Sequence, residues 1–161
     1  MNDPLEPNLD SPVVRGVAKA MRRYHRYRAY GLDNIPASGR CLLVVNHSFA
    51  TYDIGMLVET IGRHCGRTAR GLGDNALFSG PDRGRIAQQF GVVPANPQNG
   101  VDLLEQEELL VVAPGGMREA LRPSTERYRI RWERRRGFVR LALQTQTPIV
   151  LAACPDADRL Y

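Results

Sequence analysis

The side chains best suited to acid–base chemistry lie in residues 46–53, directly after an apolar stretch. This segment reads Asn-His-Ser-Phe-Ala-Thr-Tyr-Asp. A histidine side chain can take a proton from a hydroxyl group near neutral pH, which makes His47 a candidate general base. The carboxylate of Asp53 could hold the imidazole in one tautomer and stabilise its charged form. In the alternative interpretation, His47 is an ordinary loop residue and Asp53 caps the following helix.

A second segment, residues 114–121, has the composition of an anion-binding turn. It reads Pro-Gly-Gly-Met-Arg-Glu-Ala-Leu and also follows an apolar stretch. Glycines allow a ligand to approach the backbone, and the amides at the start of a helix favour negative charge. Arg118 adds a guanidinium fork. The alternative is a plain turn, with Arg118 and Glu119 on a solvated helix face.

Basic residues are concentrated in two parts of the chain. The protein has 22 Lys and Arg against 17 Asp and Glu, a net charge of +5. Residues 11–30 contain six basic residues and no acidic one, and residues 118–140 contain nine arginines and three glutamates. In the second block, Tyr128 and Trp132 alternate with arginines, a pattern that could stack nucleobases, grip phosphates or lie on lipid headgroups. An anionic partner is therefore expected: a membrane surface, a phosphorylated ligand or a nucleic acid.

Length and composition exclude several classes of protein. The chain of 161 residues has room for one domain with a sizeable core. Its longest apolar run is six residues, 149–154, far below the roughly 20 that span a bilayer, and no secretory segment is expected near the N-terminus. The three cysteines form no CxxC pair, which argues against a disulfide scaffold or a zinc ribbon and fits a reducing cytosolic compartment.

The apolar pattern predicts an α/β fold, with a mostly parallel sheet flanked by helices. Buried strands are expected at residues 41–46, 109–113 and 148–153, and shorter strands at 68–72 and 91–94. Helices are expected at 53–64, at 101–108 and at 137–145, and residues 86–90 are expected to close a further helix. These elements belong to one domain, residues 32–161.

An amphipathic helix is predicted before this domain, over residues 12–31, after a flexible leader at 1–11. Ser11 is the expected N-cap, Pro12 the first helical residue, and Gly31 the end. One side of this helix carries an apolar stripe: Val13, Val14, Val17, Met21, Tyr24 and Tyr27. Basic residues surround the other side, so we expect the helix to lie in a membrane interface. The alternative is that the stripe packs onto the sheet.

Four segments, in order, resemble the sequence blocks of the glycerolipid acyltransferase family, to which lysophosphatidic acid acyltransferases belong. They are Asn46-His47 with Asp53, and residues 90–94, 114–119 and 147–150. Residues 114–121, with Tyr128, Trp132, Gly137 and Phe138 after them, are similar to the diacylglycerol acyltransferase-like branch. The resemblance covers about residues 40–155. It departs from the family at the first block, where five residues instead of four separate His47 from Asp53.

The resemblance implies transfer of a fatty acyl group from acyl-CoA or acyl carrier protein to a lipid hydroxyl, at the cytoplasmic side of a membrane. It implies catalytic roles for His47 and Asp53. The residues that it implies for binding the acceptor or donor are Asn46, Gly115, Gly116, Arg118 and Glu119. Backbone amides of the glycine pair, or Arg118, would stabilise the oxyanion. No cofactor beyond the acyl donor and no metal ion is expected.

Two further expectations come from positions where this chain differs from the family. Gly115 stands where phosphate-acceptor members carry a glutamate, and Asn96 stands near their second-block arginine. Both differences imply a neutral acceptor, such as a mono- or diacylglycerol. Family members also continue for tens of residues beyond the strand at 148–153, so the domain is expected to be incomplete at its C-terminus.

The sequence is also compatible with other functions. They are acylation of lysophosphatidic acid or another phospholipid, a lipid esterase, and a non-catalytic module that binds lipid or nucleic acid. Ser48 beside His47 suggests an esterase, but the chain lacks a Gly-x-Ser-x-Gly segment. A nucleic-acid module would leave the histidine segment at 46–53 and the glycine turn at 114–121 unexplained, so no nucleic-acid partner is expected.

Overall fold

The computed structural model describes residues 12–48 and 52–159, which contain one five-stranded parallel sheet. Its strands are β1 (Cys41–Val45), β2 (Ala69–Gly73), β3 (Val92–Pro94), β4 (Leu109–Val112) and β5 (Ile149–Ala152). They lie in the order β3-β2-β4-β1-β5, and every neighbouring pair is parallel. The predicted α/β fold is confirmed. The leader at 1–11, with its Ser11 cap, lies outside the described residues.

Six α-helices accompany the sheet in the part of the chain that the structure describes. They are α1 (Pro12–Tyr24), α2 (Tyr52–Cys65), α3 (Pro81–Gln89), α4 (Pro97–Glu105), α5 (Gly116–Ala120) and α6 (Gly137–Thr145). Helix α4 begins four residues before its predicted start. The Asn96 side chain accepts a hydrogen bond from the Asn99 amide at 2.8 Å, and Pro97 occupies the first turn. This Asn-Pro pair is a start signal that the sequence contains.

The core consists of two apolar layers, one on each face of the sheet. Alternate residues of a strand point to opposite faces, so Leu42 and Leu43 of β1 enter different layers. One layer packs against α4 and α6, and the other against α2. Because both of its faces are covered, β1 is buried at all five positions. It is therefore a rigid support for the residues that follow it.

Strand β5 is not the buried strand that its apolar sequence predicts. Within the described residues it pairs only with β1 and forms one edge of the sheet. Ile149 and Leu151 point to the same side, and Leu151 is 69% exposed. The apolar pattern correctly predicted a strand, but burial depends on the neighbours that the sheet order provides.

Helix α1 ends at Tyr24, seven residues before the predicted end at Gly31. Arg26 has a positive φ of 50°, the Arg26 amide donates to Arg23 O at 3.4 Å, and the Tyr27 amide donates to Arg22 O at 2.9 Å. These bonds form a Schellman motif, which closes a helix by turning the chain through the left-handed region. The left-handed position of this motif is commonly a glycine, so the arginine at position 26 did not indicate that the helix ends here.

The second half of α1 is attached to α2. Arg22 forms an ion pair with the buried carboxylate of Glu59, and the ring of His25 stacks on Tyr52 with centroids 5.0 Å apart. Val17 and Tyr24, by contrast, are 59% and 82% exposed. The helix therefore docks on the domain through one side, and part of its apolar stripe remains accessible. None of the described helices is both long and apolar enough to cross a bilayer.

The sheet order creates a crevice at the carboxyl ends of β1 and β4. These strands are neighbours, yet α2, which follows β1, packs on one face of the sheet, and α6, which lies between β4 and β5 in the chain, packs on the other. Ligands of open α/β sheets bind where such connections diverge. Residues 46–48 follow β1 and residues 113–115 follow β4, so both candidate segments lie at this edge.

Candidate active site

His47 is presented at the end of the most buried strand of the sheet. Its ring Nδ1 lies 2.9 Å from the carbonyl oxygen of Ser48. A carbonyl oxygen can only accept, so Nδ1 must donate, and the neutral ring then carries its free lone pair on Nε2. A partly buried imidazole with Nε2 as the acceptor has the tautomer that a general base needs.

Asp53 does not orient His47 in the way that the sequence suggests. Its Oδ1 accepts a hydrogen bond of 2.5 Å from the Ser48 hydroxyl, and within the described residues it shares no hydrogen bond with the imidazole. Asp53 lies in the first turn of α2 and is buried. Its described link to His47 runs through Ser48, whose hydroxyl contacts Asp53 and whose carbonyl oxygen contacts the imidazole.

The same bond bears on the esterase alternative. A serine nucleophile needs its hydroxyl on a base such as histidine. Here the Ser48 hydroxyl donates to Asp53, while His47 contacts the Ser48 carbonyl. The arrangement does not activate Ser48, which counts against a hydrolase with this residue as nucleophile.

We expect Ser48→Ala to lower the free energy of unfolding by about 1.5–3 kcal/mol, because it removes a charge-assisted hydrogen bond from the buried carboxylate of Asp53. Urea denaturation measures this change. Ser79→Ala is a matched control, since the Ser79 hydroxyl makes an exposed bond of 2.7 Å to Ala76 O. Equal, small effects from both substitutions would contradict the assigned role of the Ser48–Asp53 bond.

Asn46 has a structural contact that the sequence did not indicate. Its Oδ1 accepts a hydrogen bond from the Cys154 amide at 2.8 Å. This bond joins the segment after β1 to the segment after β5. The side-chain oxygen of Asn46 thus holds the loop. Any contact of Asn46 with a substrate would have to use its other atoms.

The Pro-Gly-Gly turn is built around the buried side chain of Glu119. Glu119 is 1% exposed, so it does not lie on the solvated helix face of the alternative interpretation. A Cβ atom at Gly115 would overlap Glu119, with Cδ only 2.6 Å away. Glycine is required at position 115 because the Glu119 side chain fills that space. Because its side chain is buried inside the turn, Glu119 is not accessible to a substrate in solvent.

The backbone amide of Gly116 is not free to stabilise an oxyanion. It donates to Ala113 O at 3.0 Å, and Gly116 itself has a positive φ of 51°. The expectation that both glycine amides face a ligand therefore fails for Gly116. The cause is that the turn closes on its own strand end and uses this donor internally.

Two arginines have very different places around this turn. Arg118 is 70% exposed in its side chain and lies 3.5 Å from Glu133, so it is accessible to an anionic ligand. Arg135 donates from Nη1 to Pro114 O at 3.1 Å and to Gly115 O at 2.7 Å. The sequence grouped Arg135 with a phosphate-binding block, but the structure uses it to hold the turn.

The aromatic residues of the second basic block are also divided between two roles. Trp132 and Phe138 pack against the core in an edge-to-face contact, with centroids 5.5 Å apart. Tyr128 is exposed. The block is therefore not a continuous stacking surface for nucleobases.

A cavity of about 790 Å³ lies beside the candidate base, between residues 25–35, β1, α2 and residues 150–159. Asn46 and Asp53 line it, whereas His47 does not. Much of its wall is apolar: Leu43, Val45, Ile54, Leu57 and Val150. Its volume is in the range of about 300–1,000 Å³ typical of small-molecule sites.

Three ionisable side chains of the cavity wall, two tyrosines and one cysteine, are held in their neutral forms. Burial, together with the nearby Cys154 and Asp53, raises the pKa of Tyr27 to about 12. Burial likewise raises the pKa of Tyr52 and of the Cys154 thiol, with Asp53 adding to both shifts. The wall also contains arginine and aspartate side chains, among them Arg26, Arg28 and Asp53, so only its apolar part favours an apolar ligand.

Within the described residues, no group of three or more His, Cys, Asp and Glu side chains could hold a metal ion. The candidate site thus consists of His47 as the candidate base, the Ser48–Asp53 hydrogen bond beside it, and a tightly held glycine turn.

The family model for acyltransferases, described as "Acyltransferase", matches residues 26–154. The chain belongs to the acyltransferase family. This match covers the helix-flanked sheet together with both candidate segments, and it confirms the resemblance that those segments carry. No solved structure matches the chain.

Several curated proteins are similar to this family member. A human protein named "DGAT1/2-independent enzyme synthesizing storage lipids" is 33% identical over 127 residues, which are 79% of this chain and 39% of that protein. An uncharacterised protein of Mycobacterium tuberculosis is 29% identical over 160 residues, 97% of this chain and 45% of that protein. "Phytyl ester synthase 1, chloroplastic" of Arabidopsis thaliana is 29% identical over 126 residues, 74% of this chain and 18% of that protein. The chain thus spans less than half the length of these relatives.

Proposed function

We propose that this chain carries the acyl-transfer site of an enzyme that moves a fatty acyl group from a thioester, acyl-CoA or acyl carrier protein, to a lipid hydroxyl. The observation that carries the proposal is His47, whose Nε2 is an acceptor at the crevice of an acyltransferase-family sheet. This is the atom that a direct acyl transfer requires.

In the proposed reaction, Nε2 of His47 takes the proton of the acceptor hydroxyl. The oxygen attacks the thioester carbonyl carbon, and the new C–O bond forms as the C–S bond breaks. The proton on His47 then passes to the departing thiolate, so the base is regenerated. Deprotonating the nucleophile in this way contributes typically 10²–10⁴-fold to the rate.

The phosphates of the donor would be held by the basic block that follows the glycine turn. Of its arginines, Arg131 pairs with Glu126 and Arg135 holds the turn. Arg129, Arg134 and Arg136 are exposed on the same segment, and Arg118 is exposed beside it. These accessible guanidinium groups support an anionic donor.

The acceptor in this proposal is a neutral lipid alcohol. The space beside Gly115 is taken by the carboxylate of Glu119, which disfavours a phosphate at that point. The names of the human and plant relatives refer to storage lipids and to phytyl esters. The apolar part of the cavity beside Asp53, formed by Leu43, Val45, Ile54, Leu57 and Val150, would accommodate an acyl or alkyl chain.

The test is a lipid-product assay with radiolabelled acyl-CoA, or acyl carrier protein, and a panel of acceptors. We expect an ester product with mono- or diacylglycerol or a long-chain alcohol, and little with lysophosphatidic acid. Preference for the phosphorylated acceptor would replace the neutral-acceptor proposal by a lysophosphatidic acid acyltransferase. Release of free fatty acid without an acceptor would support an esterase.

We also propose that the protein works at the cytoplasmic side of a membrane, as a peripheral protein bound through α1. Val17 and Tyr24 are exposed on this helix, and Arg15, Lys19 and Arg23 are exposed with them. Apolar burial combined with attraction of basic side chains to anionic lipid is the mode of binding of interfacial helices.

For this binding mode, we expect Arg15→Gln/Arg23→Gln to weaken binding to phosphatidylserine vesicles by about 2 kcal/mol, roughly 30-fold, at low salt. Vesicle flotation at two salt concentrations measures the effect. Arg83→Gln/Arg85→Gln is the matched control, because both residues are exposed on α3 and the net charge changes equally. Equal losses in the two double variants would show binding by net charge alone. No loss in either would move the anchor to residues 127–140.

A further inference from the structure

One buried arginine joins the segments that follow three neighbouring strands. Nη1 of Arg122 lies 2.8 Å from His47 O, after β1, and 2.8 Å from Glu119 O, after β4. Nη2 of the same guanidinium pairs with Asp158, after β5. β4, β1 and β5 are adjacent in the sheet, so this side chain crosses the edge at which the candidate base is presented.

The pair is shielded from water and its partners are polar. The side chains of Arg122 and Asp158 are 2% and 5% exposed. The second oxygen of Asp158 accepts a hydrogen bond from the Tyr128 amide at 2.7 Å. Burying two charges is costly unless their hydrogen-bonding groups are satisfied, and here several of those bonds go to backbone atoms at the strand ends.

We propose that Arg122, held by Asp158, is a positioning residue for His47. The proposal rests on the proposed function, in which His47 is the base. By fixing His47 O, Arg122 fixes the peptide between His47 and Ser48. The Ser48 carbonyl, which follows, is the group that holds Nδ1–H of the imidazole. Through this chain of bonds, Arg122 keeps Nε2 as the proton acceptor.

Arg122 is not proposed as a catalytic residue. Its guanidinium is almost fully buried, and its described contacts are backbone carbonyls and one carboxylate. An exposed arginine of the same segment, Arg118, is the better placed group for a substrate phosphate. Loss of Arg122 should therefore lower kcat and leave the KM of the acyl donor almost unchanged.

The central test uses the double variant Arg122→Met/Asp158→Leu. Removing one partner would leave an unbalanced buried charge and endanger the fold, whereas replacing a whole buried pair by apolar residues is often neutral or stabilising. Arg122→Lys is the second variant, because an ammonium group can pair with Asp158 but cannot span all three contacts. Asp156→Asn is the matched control, since Asp156 lies in the same turn as Asp158 but is exposed and pairs with Arg159 at 3.2 Å.

Two readouts separate this proposal from the proposed function. The first is long-range ¹H–¹⁵N NMR of the imidazoles, in which the His47 signal is the one missing from His47→Ala. We expect a single Nδ1-protonated tautomer in the wild type and in Asp156→Asn, and mixed tautomers in the double variant and in Arg122→Lys. The second is acyl transfer, for which we expect a loss of about 10²-fold in kcat for the double variant.

The proposal is overturned if the folded double variant keeps the wild-type tautomer, whatever its activity. It is also overturned if the combined variant Arg122→Met/Asp158→Leu/His47→Ala shows the product of the two separate kcat losses. Residues that act through the same group should not have independent effects. If the wild type transfers no acyl group but the tautomer shifts as expected, the positioning role stands and the proposed function fails.

Discussion

His47→Ala should lower kcat by about 10²–10⁴-fold, because it removes the group that takes the proton of the acceptor hydroxyl. The fold should be unaffected, since the ring is only partly buried and its described hydrogen bond goes to the adjacent Ser48 carbonyl. The measurement is single-turnover acyl transfer, with thermal unfolding of the same sample to verify the fold.

His64→Ala is the matched control for this experiment. Its side chain is 54% exposed and lies 3.4 Å from Asp33 on the surface of the domain. It should keep the wild-type rate. Wild-type turnover by folded His47→Ala would rule out His47 as the base and, with it, the proposed mechanism.

Gly115→Ala should lower the free energy of unfolding by about 1–3 kcal/mol, the usual cost of adding a methyl group to a filled site. The backbone at Gly115, with φ −67° and ψ −27°, would by itself accept alanine. The added Cβ would overlap Glu119 Cβ as well as its carboxylate. The end of a side chain can swing away, but a Cβ atom moves only with its backbone, so the overlap outweighs the gain in helical propensity.

Gly55→Ala provides the opposite case in α2. A Cβ at Gly55 meets no atom within 4 Å, and the residue is exposed within the helix. We expect it to stabilise the protein by about 0.5–1 kcal/mol, the usual difference between the two residues in a helix. Urea denaturation of both variants makes the comparison. If Gly115→Ala is as stable as the wild type, Glu119 does not fill the space that the structure assigns to it.

Much of the fold could be predicted from short stretches of sequence. The five-residue apolar runs at 41–45 and 109–113 predict strands because a strand covered on both faces buries every side chain of such a run, and the runs are too short for a buried helix. Helix α6 was predicted at its observed bounds, since its apolar spacing and its start at Gly137 are local signals. The end of α1 and the start of α4 were misjudged by several residues. Each depends on a cap, and only the cap of α4 has a recognisable residue type.

The candidate site likewise has features that the sequence indicated and features that it did not. Residue types and their positions after strands indicated the histidine and the glycine turn, because strand ends of a parallel sheet meet at one edge. Which atoms are bonded there depends on the whole chain. Arg122 contacts a carbonyl 75 positions earlier and a carboxylate 36 positions later, and no local pattern marks either partner.

The sequence by itself determined the strands, the parallel sheet, the family, and the two segments at the reactive edge, since these follow from local apolar patterns and from motif order. Only the tertiary structure decided that Ser48 stands between Asp53 and His47, that Glu119 is buried, and that β5 is an edge strand among the described residues. The physical reason is that hydrogen-bond partners and burial are properties of neighbours in space, and the order of strands in the sheet determines which neighbours meet.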